Sequence, residues 1–383
     1  MKLKYMVFLY LLLIFSMIGI FYKLKKINTP QKKNLILGAI KNYSWETIKP
    51  FFISLIKANF KSCDYVLFVL GLSNETIENI QNYGVKTIEI PEKYRKMKIN
   101  NVRYKLYEEY LNNNNNKYNI ILHADVRDTI FQKDLFEIYK NNKKSFIGVS
   151  LEDGVITGKY NGEWMENQYG NDIYNILKNE TIICSGTIWG TADKFLELVR
   201  KIWEEIKLKS PYKESIHDQT ATNYIIYYIK MFNDSLIKSD INIGPVMTVG
   251  LARNKDLQFD SEGNVLTFNG EIPAVIHQYD RVPKIVEIVK NKFNSLVNTS
   301  NITINNSYEI KKKGFEFYIL IIFVSLVIII IINISLIFLG FIKINFSKNK
   351  EEKLSFKKVS IIKQGSRKNK IKFHKYRKIY NFL

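Results

Sequence analysis

The chain has 383 residues, a formal net charge of +21 and two cysteines. Two cysteines cannot by themselves hold a zinc cluster, and we expect Cys63 and Cys184 to be buried thiols. The basic charge lies at the ends of the chain. Residues 343–383 carry a net charge of +12 and residues 1–33 carry seven lysines without an acid, which leaves +2 for the centre. A nearly neutral centre argues against nucleic acid as a partner.

Two uncharged apolar runs bracket the centre, at residues 5–22 and 317–342. The later run is long enough to cross a hydrocarbon core of ~30 Å, and it predicts a transmembrane helix. The earlier run ends without a small-residue cleavage site and therefore predicts an uncleaved anchor. The basic tail places both termini on the cytosolic side and the central domain on the lumenal or exoplasmic side, in a Golgi- or ER-like compartment if the cell is eukaryotic.

The basic flanks predict contact with anionic membrane lipid, and a solvated tail without a partner is the alternative. The predicted organisation is an N-terminal stub, anchor and basic flank over residues 1–33, one catalytic domain over 34–284, a stalk over 285–316, the transmembrane helix over 317–342 and a cytosolic tail over 343–383.

The central domain opens with apolar runs of strand length that alternate with helical periods. Strands are predicted at 34–40, 65–70, 85–90 and 118–123, and helices at 45–60, 74–82 and 103–111. This alternation predicts an α/β fold with a mostly parallel sheet flanked by helices. Further strands are predicted at 144–150 and 181–189. Two apolar and aromatic stripes, at 195–206 and 224–232, predict helices that face the core.

Two carboxylates, Asp125 and Asp128, follow the predicted strand at 118–123 directly. Ligands of parallel α/β sheets bind beyond the carboxyl ends of the strands, so this position favours a site. Carboxylate oxygens suit Mg²⁺ or Mn²⁺, which bridge to substrate phosphates. From spacing alone, a turn in which the two aspartates cap a following helix is an alternative.

Three later segments carry further candidate residues. Ser185 and Gly186 lie in an apolar strand, where a glycine allows close approach of a ligand or simply fits a tight turn. Asp218 and Gln219 open a predicted helix, where the helix dipole favours an acid whatever its function. His277 follows an apolar run, where a hydrogen-bonded core histidine is the alternative to a ligand.

In this order, four segments resemble the GT-A class of nucleotide-sugar-dependent glycosyltransferases: His123-Ala-Asp-Val-Arg-Asp-Thr-Ile-Phe-Gln132, Cys184-Ser-Gly-Thr-Ile-Trp-Gly190, His217-Asp-Gln219 and Val275-Ile-His-Gln-Tyr-Asp280. The resemblance covers about residues 34–283. It implies a GT-A-like, Rossmann-type sheet and, together with the two predicted spans, a membrane-anchored hexosyltransferase. Such an enzyme moves a hexose-type sugar from a nucleotide-diphosphate sugar donor to a hydroxyl of a glycan, glycoprotein or glycolipid.

The resemblance also implies roles for single residues. Asp125, Asp128 and His277 would hold Mn²⁺ or Mg²⁺, and Asp125 would contact the metal or the nucleotide ribose. Ser185 and Gly186 would line the donor sugar.

The same resemblance places Asp218 and Gln219 against the reacting sugar or the acceptor. Asp218 would be the general base of an inverting enzyme. The segment departs from the common Asp-x-Asp spacing because Arg127 stands where the second Asp would be. Three explanations stay open: Asp128 substitutes, Arg127 neutralises the diphosphate directly, or the metal is dispensable.

Two rivals remain at this point. The first is a non-catalytic, membrane-tethered binding or scaffold protein of the same fold, for which Arg127 is the best argument. The second is a phosphohydrolase with a phosphorylated aspartate, but there the second aspartate of the motif comes one place too late.

Overall fold

The computed structural model describes residues 32–114, 116–209, 217–252 and 257–294, with single positions near both ends. The chain separates into two units, Met1–Ile302 and Thr303–Leu383, and the fold below belongs to the first. Within the described residues, no helix has the length and apolar character of a membrane span. The runs at 5–22 and 317–342 and the basic tail lie almost wholly outside them, so the two spans remain predictions.

Twelve strands and nine α-helices are described in the first unit, and they are named here in chain order. The strands are β1 Lys33–Lys41, β2 Cys63–Leu70, β3 Lys86–Glu89, β4 Tyr118–Ala124, β5 Thr129–Phe131, β6 Ile147–Val155, β7 Thr181–Thr191, β8 Leu236–Ser239, β9 Val246–Thr248, β10 Gln258–Phe259, β11 Val265–Leu266 and β12 Val275–His277. The helices are α1 Trp45–Lys57, α2 Asn74–Asn82, α3 Ile99–Asn113, α4 Leu135–Tyr139, α5 Lys159–Tyr169, α6 Asn171–Leu177, α7 Ala192–Lys209, α8 Asp218–Asn223 and α9 Pro283–Asn294.

The central sheet has seven strands in the order β3-β2-β1-β4-β7-β6-β8. Strands β1 to β4 pair in parallel, as the alternation of strands and helices predicts. Strand β7 is the exception, because it runs antiparallel between β4 and β6. The sheet is therefore mixed, and its parallel part is the part that the regular first half of the sequence predicts.

Helices cover both faces of the central sheet, so its strands are apolar on both sides. One core contains residues of α3, α7 and α8, for example Tyr107, Phe195 and Ala221. The other contains residues of α1 such as Phe52, together with Trp189 of β7.

A second, three-stranded sheet in the order β5-β12-β9 extends the fold beyond the end of β4. Its strands have three residues each, too short for periodicity in the sequence to indicate them. The sheet matters because β5 begins directly after Asp128 and β12 ends at His277. It is the element that joins the first half of the chain to the last.

Two predictions need correction. The stripe at 224–232 is only partly core: Ile225 and Phe232 are buried, whereas Tyr228 is 41% exposed. The predicted stalk does not begin at residue 285, because α9 continues the domain to Asn294 and buries Ile285 and Val289. This segment is rich in Asn and Lys, so the helical spacing of its apolar residues was not recognised in the sequence.

Candidate functional site

The site is assembled where β4 ends. Asp125 follows β4 directly, and its amide donates a hydrogen bond to the Gly186 carbonyl of β7 over 2.8 Å. Asp128 precedes β5, whose first residue, Thr129, lies opposite His277 in the antiparallel β5-β12 pair. The register of these two strand pairs therefore brings residues from distant parts of the chain, such as Asp125 and His277, to one place.

Asp125, Asp128 and His277 offer ligand atoms that all lie within 4.8 Å of one another. The His277 Nε2 atom lies 3.5 Å from Asp128 Oδ1 and 3.8 Å from Asp125 Oδ2. This buried nitrogen has no hydrogen-bond partner in the described structure. Two ligands of one Mg²⁺ ion are separated by at most ~4.2 Å, twice the ~2.1 Å coordination distance. The three side chains therefore fit a small divalent cation with little movement.

Charges around the three residues keep both carboxylates ionised. Burial alone would raise the pKa of Asp125, but the Arg103 guanidinium and His277 hold that pKa well below its usual range. Burial opposes ionisation of Asp128 as well, and His277 and Arg127 lower its pKa. Two ionised carboxylates beside an imidazole form a donor set of the kind that hard and borderline cations prefer.

The His277 ring is held from its other side. Its Nδ1 atom lies 3.4 Å from the Cys184 thiol and 3.5 Å from the Thr248 hydroxyl. Burial lowers the pKa of His277, but Cys184 and the two aspartates outweigh it and the pKa is raised. Cys184 is buried, as predicted, whereas Cys63 is only partly buried. Cys184 thus supports the ring of the candidate ligand.

Arg103 of α3 is the residue that the sequence interpretation missed. Its guanidinium is buried and pairs with Asp125. It also lies 2.5 Å from Asp218 Oδ2 and donates a 3.0 Å hydrogen bond to the Ser185 carbonyl. Arg103 therefore contacts three of the segments in which site residues were predicted. The sequence does carry a signal for its burial, because two apolar residues, Leu106 and Tyr107, follow Arg103 by three and four positions.

Asp218, the predicted base, has one carboxylate oxygen already engaged. Its Oδ2 atom accepts hydrogen bonds from Arg103 and from the Tyr104 hydroxyl, the latter at 3.0 Å. The side chain is buried at the start of α8. A substrate group would have to use the other oxygen, Oδ1.

The remaining predicted residues lie around this centre. Ser185 reaches it through its backbone, and its amide contacts Gln219 Oε1 at 3.5 Å. Gln219 also donates a 2.9 Å hydrogen bond to Asn161 of α5. Arg127 lies 2.8 Å from Asp128 and 3.5 Å from Asp280, and its side chain is 42% exposed. Arg127 thus presents a partly accessible cation beside the three candidate ligands.

His123 is the first residue of the segment at 123–132 that resembles GT-A enzymes. Its imidazole is uncharged and packs beside the site. Burial and the nearby Arg103 lower the pKa of His123 to about 3. Its Nδ1 atom lies 3.0 Å from the Tyr107 hydroxyl, and its Nε2 atom points toward Asp125 at 3.7 Å.

Gly186 shows how closely the site is packed. A Cβ atom at this position would lie 2.6 Å from His277 Nε2 and 2.7 Å from Asp125 Oδ2. We expect Gly186→Ala to displace one of these side chains and to weaken Mn²⁺ binding at least about tenfold, as loss of ligand positioning does. Titration calorimetry with Mn²⁺ measures the effect.

Gly154→Ala is the matched control for Gly186→Ala, since its new Cβ atom would meet only the tips of Leu251 and Ile182, at 3.0 and 3.7 Å. Equal Mn²⁺ affinity in both variants and the unaltered protein would show that the space at Gly186 is not needed for a metal site.

Glu152 of β6 is a buried carboxyl close enough to His277 and Cys184 to be affected by both. Burial raises its pKa, although His277 and the Cys184 thiol act in the opposite direction. A carboxyl with a raised folded-state pKa contributes stability below its unfolded pKa of about 4.3 and loses it as the pH rises through the folded value. We expect Glu152→Gln, which resembles the protonated acid, to gain stability relative to the unaltered protein as the pH rises from 4 to 7.

Melting temperatures of both proteins across this pH range test the Glu152 prediction. A constant difference between the two proteins from pH 4 to 7 would contradict it.

Comparison with known proteins adds one finding. No family model matches the sequence, and no curated protein matches it. Among solved structures, an active-site mutant of LgtC matches with 12% identity and a TM-score of 0.42 over 63% of this chain and 86% of that chain. The galactosyltransferase LgtC in complex with donor and acceptor sugar analogues matches with 13% identity and a TM-score of 0.43 over 67% and 95%. Both are structures of the same protein, LgtC.

Proposed function

We propose that the chain is a metal-assisted glycosyltransferase that moves a hexose-type sugar from a nucleotide-diphosphate donor to a hydroxyl of a glycan, glycoprotein or glycolipid. One observation carries the proposal: Asp125, Asp128 and His277, from distant parts of the chain, converge within 4.8 Å. The convergence occurs where β4 ends, at the sheet edge where α/β proteins bind ligands.

Asp125, Asp128 and His277 would hold Mn²⁺ or Mg²⁺. A divalent cation bound there would neutralise negative charge on the phosphate oxygens of the leaving group. The side chain of Asp125 keeps 33% of its surface exposed, whereas Asp128 and His277 are almost fully buried. The open side of Asp125 is therefore the side from which a donor would approach.

Arg127 is placed to bind the diphosphate. Its exposed guanidinium can donate to phosphate oxygens while it remains beside Asp128 and Asp280. The arginine that departs from the common motif spacing thus supplies positive charge at the position where charge builds up on the leaving group.

Arg103 would orient the reacting groups. It fixes one oxygen of Asp125 and one of Asp218, so the two carboxylates cannot turn independently. Ser185 and Gly186 would line the donor sugar, and Gln219, which contacts the Ser185 amide and Asn161 of α5, would face the reacting sugar or the acceptor. Asp218 Oδ1 is the oxygen left to meet a sugar or acceptor hydroxyl.

We also propose that the apolar runs anchor the domain, with the catalytic unit on the lumenal or exoplasmic side. Five described apolar residues of the first run are helical, and their side chains are 47 to 70% exposed: Phe8, Leu11, Leu12, Phe15 and Ile18. Exposed apolar residues on successive turns of a helix suit a lipid environment. Protease protection in sealed membrane vesicles tests the orientation.

The test of function is a panel of nucleotide-diphosphate sugars incubated with the full chain and Mn²⁺ or Mg²⁺. We expect hydrolysis of one donor class, with loss of activity on chelation by EDTA. A folded protein that neither binds a nucleoside diphosphate nor hydrolyses any donor would refute the enzyme and leave the non-catalytic rival. Binding of a nucleoside diphosphate without turnover would support that rival directly.

A further inference from the structure

An aromatic surface lies where α5 meets the residue that precedes α8, next in the chain to Asp218. The Trp164 ring of α5 stacks on His217 with their centroids 4.0 Å apart and an angle of 10° between the planes. Tyr160, one helical turn earlier, lies 6.1 Å from Trp164 and is 61% exposed. We call Tyr160, Trp164 and His217 the aromatic platform.

The aromatic platform is fixed to the site through two hydrogen bonds. The His217 amide donates to Gln168 Oε1 of α5 over 3.1 Å. Gln219 donates to Asn161 of the same helix over 2.9 Å and contacts the Ser185 amide at 3.5 Å. Helix α5 therefore holds the platform against the segment that opens α8, one residue away from Asp218.

The platform offers neutral ring faces to a ligand. Burial and the nearby Lys98 lower the pKa of His217, so its imidazole is uncharged at neutral pH. Aromatic faces carry partial negative charge, which attracts the weakly positive C–H bonds on the apolar face of a pyranose ring. A nucleoside diphosphate needs positive charge, which Arg127 supplies and which a cation held by Asp125, Asp128 and His277 would add.

We propose that the aromatic platform binds a neutral sugar ring of the acceptor. The inference rests on the proposed glycosyltransferase function, because it assigns the sugar acceptor of that reaction to the aromatic platform, whose His217 directly precedes Asp218. Trp164 is the central contact, since it alone stacks on His217 and also faces Tyr160.

The test measures sugar binding directly, without turnover. The full chain is kept in a detergent that has no sugar head group and is titrated with methyl α- and β-hexopyranosides up to about 10 mM, a range suited to weak ligands. Tryptophan fluorescence and saturation-transfer NMR report the binding. The fluorescence of Trp164→Leu, subtracted from that of the unaltered protein, isolates the signal of this one ring.

We expect Trp164→Leu to weaken binding of the preferred glycoside about tenfold, the scale of a lost aromatic contact, and Trp164→Phe to restore most of it. Tyr160→Ala, at a more exposed position, should weaken it about threefold. The matched control is Tyr228→Leu, which removes an exposed tyrosine from a separate stack with Tyr224. Its glycoside affinity should equal that of the unaltered protein.

Three results would overturn the inference. They are the absence of glycoside binding to the unaltered protein, equal affinity in Trp164→Leu, and quenching of Trp164 by uridine diphosphate alone, which would make the platform a surface for the nucleotide base. Failure of the proposed function has a different signature. If glycosides bind through Trp164 but no nucleoside diphosphate binds with Mn²⁺ present, the sugar surface stands and the transferase is refuted.

Discussion

Asp125→Asn is expected to reduce donor turnover by about 10³-fold or more, equivalent to about 4 kcal/mol of transition-state stabilisation. The carboxylate is one of the three candidate ligands and also the partner of Arg103. Asparagine keeps its shape but removes its charge, so both the cation and the guanidinium lose their counterpart. Mn²⁺ affinity, measured by calorimetry, should fall at least about tenfold.

Asp172→Asn is the control for charge alone, since it neutralises an exposed carboxylate in the first turn of α6. It should leave turnover and Mn²⁺ affinity unchanged. A far-ultraviolet spectrum and a cooperative melting transition check that Asp125→Asn remains folded. Turnover within about threefold of the unaltered protein would remove Asp125 from the mechanism, since such a change is under 1 kcal/mol.

Arg103→Met is expected to destabilise the domain by about 3–5 kcal/mol, because it leaves the buried carboxylate of Asp218 without its counter-charge and removes one from the partly exposed Asp125. At ~2–4 °C per kcal/mol for a domain of this size, the melting temperature should fall by about 10 °C. Arg103→Lys keeps the charge but not the forked geometry, and it should give an intermediate loss. Differential scanning calorimetry measures both.

Arg200→Met serves as the matched control for Arg103→Met. Arg200 is half-exposed and pairs with Glu108 at 3.4 Å, so its loss should cost no more than about 1 kcal/mol. In a double-mutant cycle, Asp218→Asn should recover part of the stability that Arg103→Met loses, because it removes one of the stranded charges. Melting temperatures for Arg103→Met and Arg200→Met that agree within error would contradict the buried-pair interpretation.

Asp125 and Asp128 could be predicted as site residues from the sequence, because they directly follow a strongly apolar strand. Periodicity could not predict the register that brings His277 to them, because β5, β9 and β12 have three residues each, and only the resemblance to GT-A enzymes grouped His277 with the aspartates. Arg103 was overlooked for a related reason. A single basic residue in a predicted helix is most often solvated, and only the packing of α3 against the sheet shows that this one is buried.

The sequence also predicted the wrong surroundings for one aromatic residue and gave no prediction for another. Tyr228 carries the helical spacing of a core residue, yet the five-residue π-helix Tyr224–Tyr228 turns part of that stripe outward. Trp164 gave no signal at all. Its partner His217 is more than 50 positions away, and a stacking contact between separate elements leaves no trace in local spacing.

By itself, the sequence determined the parallel half of the sheet, the apolar runs at the two ends, and the acidic residues at the end of β4, because these depend on local periodicity, length and charge. The tertiary structure decided the contacts themselves: the ion pairs of Arg103, the distance between His277 and Asp128, and the stacking of Trp164 on His217. The physical reason is that contacts between distant segments are fixed by strand register and helix packing, which are properties of the whole fold rather than of any one stretch of chain.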